Sequence, residues 1–180
     1  DRRRNESGGP NGKDWKSAML IPELFPPRYF SRQDETEDEL FYREPRRVVH
    51  LDDGAIACLS ERFGELLAPG GVYLDLMSSW RSHLPESLLP AKVVGLGMNA
   101  AEMDENPQVQ EYTAHNLNRS PVLPFPDGMF DGVLCTVSVQ YLTKPIAVFQ
   151  AVNRILKPGC PFVVSFSNRC FPQKAVAVWL

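Results

Sequence analysis

Five short apolar runs constrain this chain more than any other feature. They fall at residues 72–77 (VYLDLM), 92–98 (KVVGLGM), 112–117, 130–137 (FDGVLCTV) and 161–166 (PFVVSF), the third being the weakest. Each is too short for an ordinary helix, and most are too uniformly apolar to turn one face to water. That is the pattern of strands buried on both sides. Helical periodicity fills the gaps between some of them. Asp52 or Asp53 can cap a helix running to Leu67, with Ile56, Leu59, Phe63 and Leu66 on one face, and Pro69-Gly70-Gly71 stops it. Thr143 can cap a second, with Pro145 in its first turn, an apolar face of Ile146, Phe149, Val152 and Leu156, and a stop at Lys157-Pro158-Gly159. Residues 173–180 read as the start of another helix. Alternation of strand and helix demands crossover connections, so the expected class is α/β, a doubly wound parallel sheet with helices on both faces.

At 180 residues the chain can build one domain with a proper core, and no internal repeat is visible. A formal net charge of -3 gives the whole molecule no pull toward nucleic acid or anionic membrane. No apolar run approaches the length of a bilayer span. The four cysteines, Cys58, Cys135, Cys160 and Cys170, include no CxxC pair, and are read as small buried hydrophobes in a reducing compartment. His50, His83 and His115 are far apart and lack ligand spacing, so no metal site is expected.

Three segments divide the chain. Residues 1–14 read as a flexible, solvated tail carrying the basic triplet Arg2-Arg3-Arg4. Residues 15–49 form a proline-rich and acidic arm. The stretch 15–30 (WKSAMLIPELFPPRYF) has three prolines that forbid a long regular element, yet is too apolar for a free linker, so it should lie against the domain or a partner. The run 34–39 (DETEDE) reads as a solvated first helical turn. Residues 50–180 are the domain itself.

Open parallel sheets bind ligands beyond the carboxyl ends of their strands, where the strand order reverses. The segments to watch are therefore 77–83, 98–103, 115–118 and 138–142. Two further motifs sharpen this. Residues 123–131 (LPFPDGMFD) lead into the fourth strand, and residues 154–159 (RILKPG) join the following helix to the fifth. Together, at this separation, they resemble the class I S-adenosylmethionine-dependent methyltransferases over residues 50–172. The wording LDLMSSW and VSFSNRCFPQKAV is similar in particular to a little-characterised group from photosynthetic organisms.

That resemblance implies a Rossmann-like fold, S-adenosylmethionine as cofactor and a small methyl acceptor. It implies a cofactor site at Asp75, Met77, Ser78, Met98, Asn99, Asn116, Leu117 and Val137, and an acceptor side near Ser138, Gln140 and Tyr141. Asp75 matches the family's strand-end acid, although a carboxylate satisfied by backbone amides would look the same. Met77-Ser78-Ser79-Trp80 stands where the family has glycines. Asn99 and Asn116 stand where it has carboxylates, and each is equally an ordinary loop or capping residue. Tyr141 is as readily a packing aromatic as a substrate contact. A nicotinamide dehydrogenase is disfavoured because no G-x-G-x-x-G follows the first strand.

The resemblance also implies C-terminal antiparallel strands, which this sequence lacks. The fifth strand should then be an open apolar edge, either because the sequence is a fragment or because a partner covers it. A second reading follows: a degenerate methyltransferase fold serving as a non-catalytic structural or assembly subunit of a larger complex. Thiol usage and the narrower resemblance point to the plastid stroma or the cytoplasm.

Overall fold

The computed structural model describes residues 25–180; the expected tail and the first part of the arm, residues 15–24, lie outside the described residues. Five strands form one sheet: β1 (Val72–Leu76), β2 (Lys92–Gly97), β3 (Glu111–Ala114), β4 (Gly132–Cys135) and β5 (Phe162–Val164). All neighbours pair in parallel, in the order β3-β2-β1-β4-β5. This is the α/β, Rossmann-like arrangement that the apolar runs call for. The order reverses beside β1, which lies between β2 and β4.

Among the described residues four α-helices accompany the sheet: α1 (Asp38–Phe41), α2 (Asp53–Leu66), α3 (Ala100–Asp104) and α4 (Pro145–Ile155). The two long ones cover opposite faces. Asp52 caps α2 by accepting the Ala55 amide at 3.0 Å. The buried stripe of α2 is Phe63 and Leu67, with Leu59 packed beside them, against Tyr73, Val93 and Leu134. Leu66, expected on that face, is 52% exposed; Leu67 takes its place as the helix unwinds. On the other face, Val148, Val152 and Ile155 of α4 pack on Leu74, Val94 and Val133. Of the expected face Ile146, Phe149, Val152 and Leu156, Val152 is buried and Leu156 packs against the same cluster, but Phe149 leans edge-on against Phe162 at the sheet margin, 5.2 Å between centroids, and Val148 and Ile155 turn inward instead. Lys144, not Thr143, occupies the N-cap of α4, and no side chain caps it. The Thr143 hydroxyl and amide are instead both held by Asn118 Oδ1.

The β1–β2 crossover has no α-helix. Residues 77–91 carry one 3₁₀ turn, Glu86–Leu88, and plug the α2 face with Leu84 and Leu88. The two resemblance motifs lock together: Arg154 donates to the carbonyls of Leu123 and Phe125, each at 2.8 Å, and to Asp127, while Lys157 reaches Asp131 at 2.7 Å. Their chemistry is structural, since they fix the entry and exit of β4. Arg154→Ala is expected to lower stability by about 2 kcal/mol through two orphaned carbonyls. Urea denaturation checks it, and a change under about 0.5 kcal/mol would contradict this role.

Two expectations about the chain's flanks are corrected. Residues 173–180 do not start an α-helix. Val176 forms an antiparallel bridge with Arg32, Asp34 N donates to Gln173 O and Ala177 N to Ser31 O, both at 2.8 Å, and only a 3₁₀ turn, Ala177–Trp179, follows. The acidic run is not simply solvated either. Lys174 is completely buried, its ammonium 2.7 Å from Thr36 O, 3.2 Å from Asp34 Oδ2 and 3.5 Å from Asp38 Oδ1. Asp38 is itself buried and pairs with Arg32 at 2.6 Å. Cations 140 residues from Asp34 or adjacent to the run draw its carboxylates inward.

Strand β5 hydrogen-bonds to β4 on one side and forms the sheet edge. All four cysteines are free thiols; Cys135 is buried, whereas Cys58 is exposed on α2, contrary to its reading as a core residue. No helix among the described residues is long and apolar enough to cross a membrane.

Candidate functional site

At the carboxyl ends of β1, β2 and β4, where the order reverses, lies a cavity of about 150 Å³. All eight residues that the resemblance assigns to a cofactor line it: Asp75, Met77, Ser78, Met98, Asn99, Asn116, Leu117 and Val137. Ser138 and Tyr141 also line it, but Gln140 does not. Gln140 is 1% exposed, and its amide nitrogen donates to Val137 O at 2.9 Å.

Asp75, next to last in β1, lies deep in the site. Its Oδ2 accepts the hydroxyls of Ser82 at 2.6 Å and Ser78 at 2.7 Å, so serines, not backbone amides, satisfy it. Burial still outweighs these bonds and pushes its carboxyl up to about 6. Met77, just past the end of β1, has φ 62°, the left-handed geometry that glycine adopts at least cost. Val137, beyond β4, has φ 42°, an unusual state for a β-branched side chain. The backbone is thus strained at the tips of both strands that flank the reversal.

After Met77 the chain bends over β2, with Ser78 N donating to Leu96 O at 2.8 Å. That approach is why β2 ends in glycine: a Cβ on Gly97 would collide with the Ser78 carbonyl. The glycine requirement has moved from the β1 turn to the strand beside it.

The two asparagines are more heavily engaged than their positions suggest. Asn99 Oδ1 caps α3 through the amides of Ala101 and Glu102, and its Nδ2 donates to Tyr42 O at 2.9 Å and Arg43 O at 3.2 Å. Asn116 Oδ1 accepts the amides of Asn118 and Arg119, and its Nδ2 donates to Glu39 at 3.0 Å. Both amides therefore tie the strand tips to the arm. Tyr141, 7% exposed, accepts the Phe171 amide at 2.9 Å and stacks on that ring. Ser138 donates to Thr136 O at 2.7 Å.

Several lining residues escaped the sequence. Tyr42 and Arg46 of the arm, and His50 and Leu51 just beyond it, reach the cavity, and no local pattern announces that a distant segment will fold across. Glu102 is buried and accepts Arg46 N and the Ser79 hydroxyl, each at 2.6 Å. Its spacing, three residues after the capping Asn99, was the available signal. The three histidines, scattered in sequence, all line this one cavity. Burial lowers the pKa of His50 and His83, and Arg81 adds to the effect at His83. Among the described residues no group of three His, Cys, Asp or Glu is arranged to hold a metal ion.

Chemically, this is a half-apolar crevice with three buried acids, Asp38, Asp75 and Glu102, side-chain amides and thioether walls. It can bind and orient an amphipathic molecule.

Comparisons with known proteins agree with that architecture. The family model of a methyltransferase domain matches residues 82–164. A bifunctional biotin-biosynthesis protein of Teredinibacter turnerae is 32% identical over 83 residues, 45% of this chain and 15% of the relative. Among solved structures, a protein from Pyrococcus horikoshii superposes with a TM-score of 0.53 at 21% identity, covering 72% of this chain and 66% of that one. A protein from Bacillus halodurans assigned as a methyltransferase superposes with a TM-score of 0.51 at 20% identity, covering 62% and 50%. The chain thus spans half to two thirds of these structures and a small part of the curated relative. The fold is class I methyltransferase-like.

Proposed function

We propose that this cavity binds S-adenosylmethionine and that the chain carries the cofactor half of a methyltransferase acting on a small acceptor. One observation supports this above the rest: eight residues from four separate segments, picked out by resemblance, line a single cavity at the reversal of strand order. The donor set suits the group. Asp75 offers a carboxylate, the apolar side chains of Met77, Met98, Leu117 and Val137 offer walls for a nucleoside, and Asn99 and Asn116 offer amide hydrogens.

The fit has a condition. A cavity of about 150 Å³ is below the usual range for a ligand of this size. The amide hydrogens of Asn99 and Asn116 now go to Tyr42, Arg43 and Glu39, so residues 39–51 shift outward and exchange those bonds for ligand bonds. The cofactor supplies a methyl group on a sulfonium whose leaving group is already activated. The work left to the chain is positioning: Asp75, fixed by Ser78 and Ser82, and the two strained strand tips hold a rigid crevice, and the arm keeps water out.

Titration calorimetry with S-adenosylhomocysteine tests this. The expected result is a micromolar Kd, weakened about tenfold or more in Asp75→Ala. No heat and no thermal shift at millimolar ligand would overturn it, and would leave a non-catalytic assembly subunit as the surviving reading. The free thiols of all four cysteines fit a reducing compartment, cytoplasm or plastid stroma. Kinship with the group from photosynthetic organisms rests on the wording of two segments alone.

A further inference from the structure

The stretch that leaves β1 carries two opposite charges that no neighbour cancels among the described residues. Asp75 uses a single carboxylate oxygen: Oδ2 takes the hydroxyls of Ser78 and Ser82, and Oδ1 has no donor among the described residues. No cation beside it offsets its burial, which only the two serines oppose. Further along, Arg81 lines the same cavity and is exposed, and among the described residues no carboxylate pairs with it. Glu105, whose carboxylate feels the Arg81 charge, already gives both oxygens to Nε and Nη2 of Arg47.

The Arg81 guanidinium is held on one side and open on the other. It lies over the Trp80 ring, 4.1 Å from the centroid, and Nη1 donates to Trp80 O at 2.7 Å and to Glu105 O at 3.5 Å. The Nε–Nη2 edge makes no hydrogen bond among the described residues, and two parallel N–H groups of that kind are the fork that fits a carboxylate. The loop around it is pinned. Glu102 takes the Ser79 hydroxyl at 2.6 Å, and Asn106 Nδ2 donates to Ser79 O and to Ser82 Oγ, each at 2.9 Å. Ser82 in turn is bonded to Asp75, so one set of contacts fixes both the fork and the free oxygen before any ligand arrives.

This pair of charges decides between ligand classes. A simple cation satisfies Asp75 and gains nothing from Arg81. A phosphate or a lone carboxylate suits the fork but is repelled by Asp75. A molecule with ammonium and carboxylate on one carbon satisfies both. We infer that Arg81 receives the carboxylate of an α-amino acid through its Nε–Nη2 edge, that Asp75 Oδ1 takes the ammonium, and that this amino acid is the tail of the cofactor. The inference deepens the S-adenosylmethionine reading and rests on it for the nucleoside joined to that tail.

The test is titration calorimetry of the full chain and of Arg81→Gln with three probes: S-adenosylhomocysteine, its decarboxylated analogue, and methylthioadenosine, which lacks the whole tail. In the parent chain, loss of the ligand's carboxylate should weaken binding about tenfold, and loss of the tail about a hundredfold. Arg81→Gln should weaken S-adenosylhomocysteine about tenfold, and bind the other two probes no more weakly than the parent does. Because Arg81 is exposed, the thermal unfolding midpoint should not move. A parent chain that binds the decarboxylated analogue as tightly as S-adenosylhomocysteine overturns the inference without recourse to the variant. So does an Arg81→Gln chain that binds S-adenosylhomocysteine normally, or one that loses all three probes alike. In each of those cases S-adenosylhomocysteine still binds the parent and the cofactor reading survives; silence from S-adenosylhomocysteine in the parent removes both.

Discussion

Replacing Lys174 by methionine is expected to destabilise the protein by about 3 kcal/mol and to loosen the arm from the domain. The substitution keeps the length of the side chain and removes only its charge and donors. The ammonium is wholly buried and touches Thr36 O, Asp34 O, Asp34 Oδ2 and Asp38 Oδ1. Without it, Thr36 O loses its 2.7 Å donor, and Asp38, itself 6% exposed, keeps only Arg32 and Asn118. The surviving Arg32 pair is why the loss falls at the low end for a broken buried ion pair. Urea denaturation reads the stability, and hydrogen exchange should show faster exchange over residues 31–51 before the sheet responds. A loss under about 1 kcal/mol, or unchanged exchange in the arm, would show that the cluster does not fasten it. The same contacts give the clasp an acid limit. The Thr36 hydroxyl and amide, then Lys174, hold the Asp34 carboxyl down at about 2. Its contribution is therefore intact above the unfolded value near 4 and is lost as pH falls through about 2.

Asp75→Asn should act in the opposite direction. Burial raises the Asp75 carboxyl from 3.8 to about 6, above its unfolded value, so the folded chain holds a proton that the unfolded chain has released over that interval. Stability from this group is fully present below about pH 4 and is lost as pH rises through about 6, a penalty of about 3 kcal/mol at neutral pH. An amide keeps an acceptor for a serine hydroxyl and carries no charge to desolvate. The variant should gain about 2 kcal/mol at pH 7.5 and lose the decline between pH 4 and 6, as followed by thermal or urea unfolding across that range. It should also bind S-adenosylhomocysteine less well. A variant no more stable than the parent at pH 7.5 would show that the buried carboxylate is better solvated than its surroundings indicate. A chain that tolerates such a cost at the tip of its central strand has a use for the charge.

What was legible in the sequence followed from local physics. Parallel strands buried on both faces must be apolar throughout, so β1, β2 and β4 could be read directly, whereas β3 is a largely exposed edge strand over Glu111–Ala114 and the expected run 112–117 ran three residues past it. Asp52 and Pro145 marked helix starts because capping and fixed φ act within one turn. The helix stripes were off by one or two positions, since the end of α2 and the sheet margin at Phe162 decide which flank turns inward. The site was half legible. Residues after strands could be placed at a common crevice by topology, yet what those side chains do there depends on segments far along the chain. Asn99 and Asn116 bond to residues 56 and 77 positions earlier. The acidic run looked solvated because its buried cation, Lys174, lies some 140 residues on. The helix-free crossover after β1 has no positive signature, only the absence of helical spacing between Met77 and Ala91.

The clasp between residues 31–36 and 173–177 also sets an order of events during synthesis. Its antiparallel bridge and its buried ammonium join segments some 140 residues apart, so one leaves the ribosome well before the other. Sheet strands β1 to β4 can pair, and Asn99, Glu102 and Asn116 can hold the arm, while the nascent chain is still growing, but the buried ion cluster closes only once Lys174 has emerged. Throughout that interval the cover over the crevice is less firmly held, so a ligand present in the cell meets a looser site first and a strapped one once Lys174 is in place.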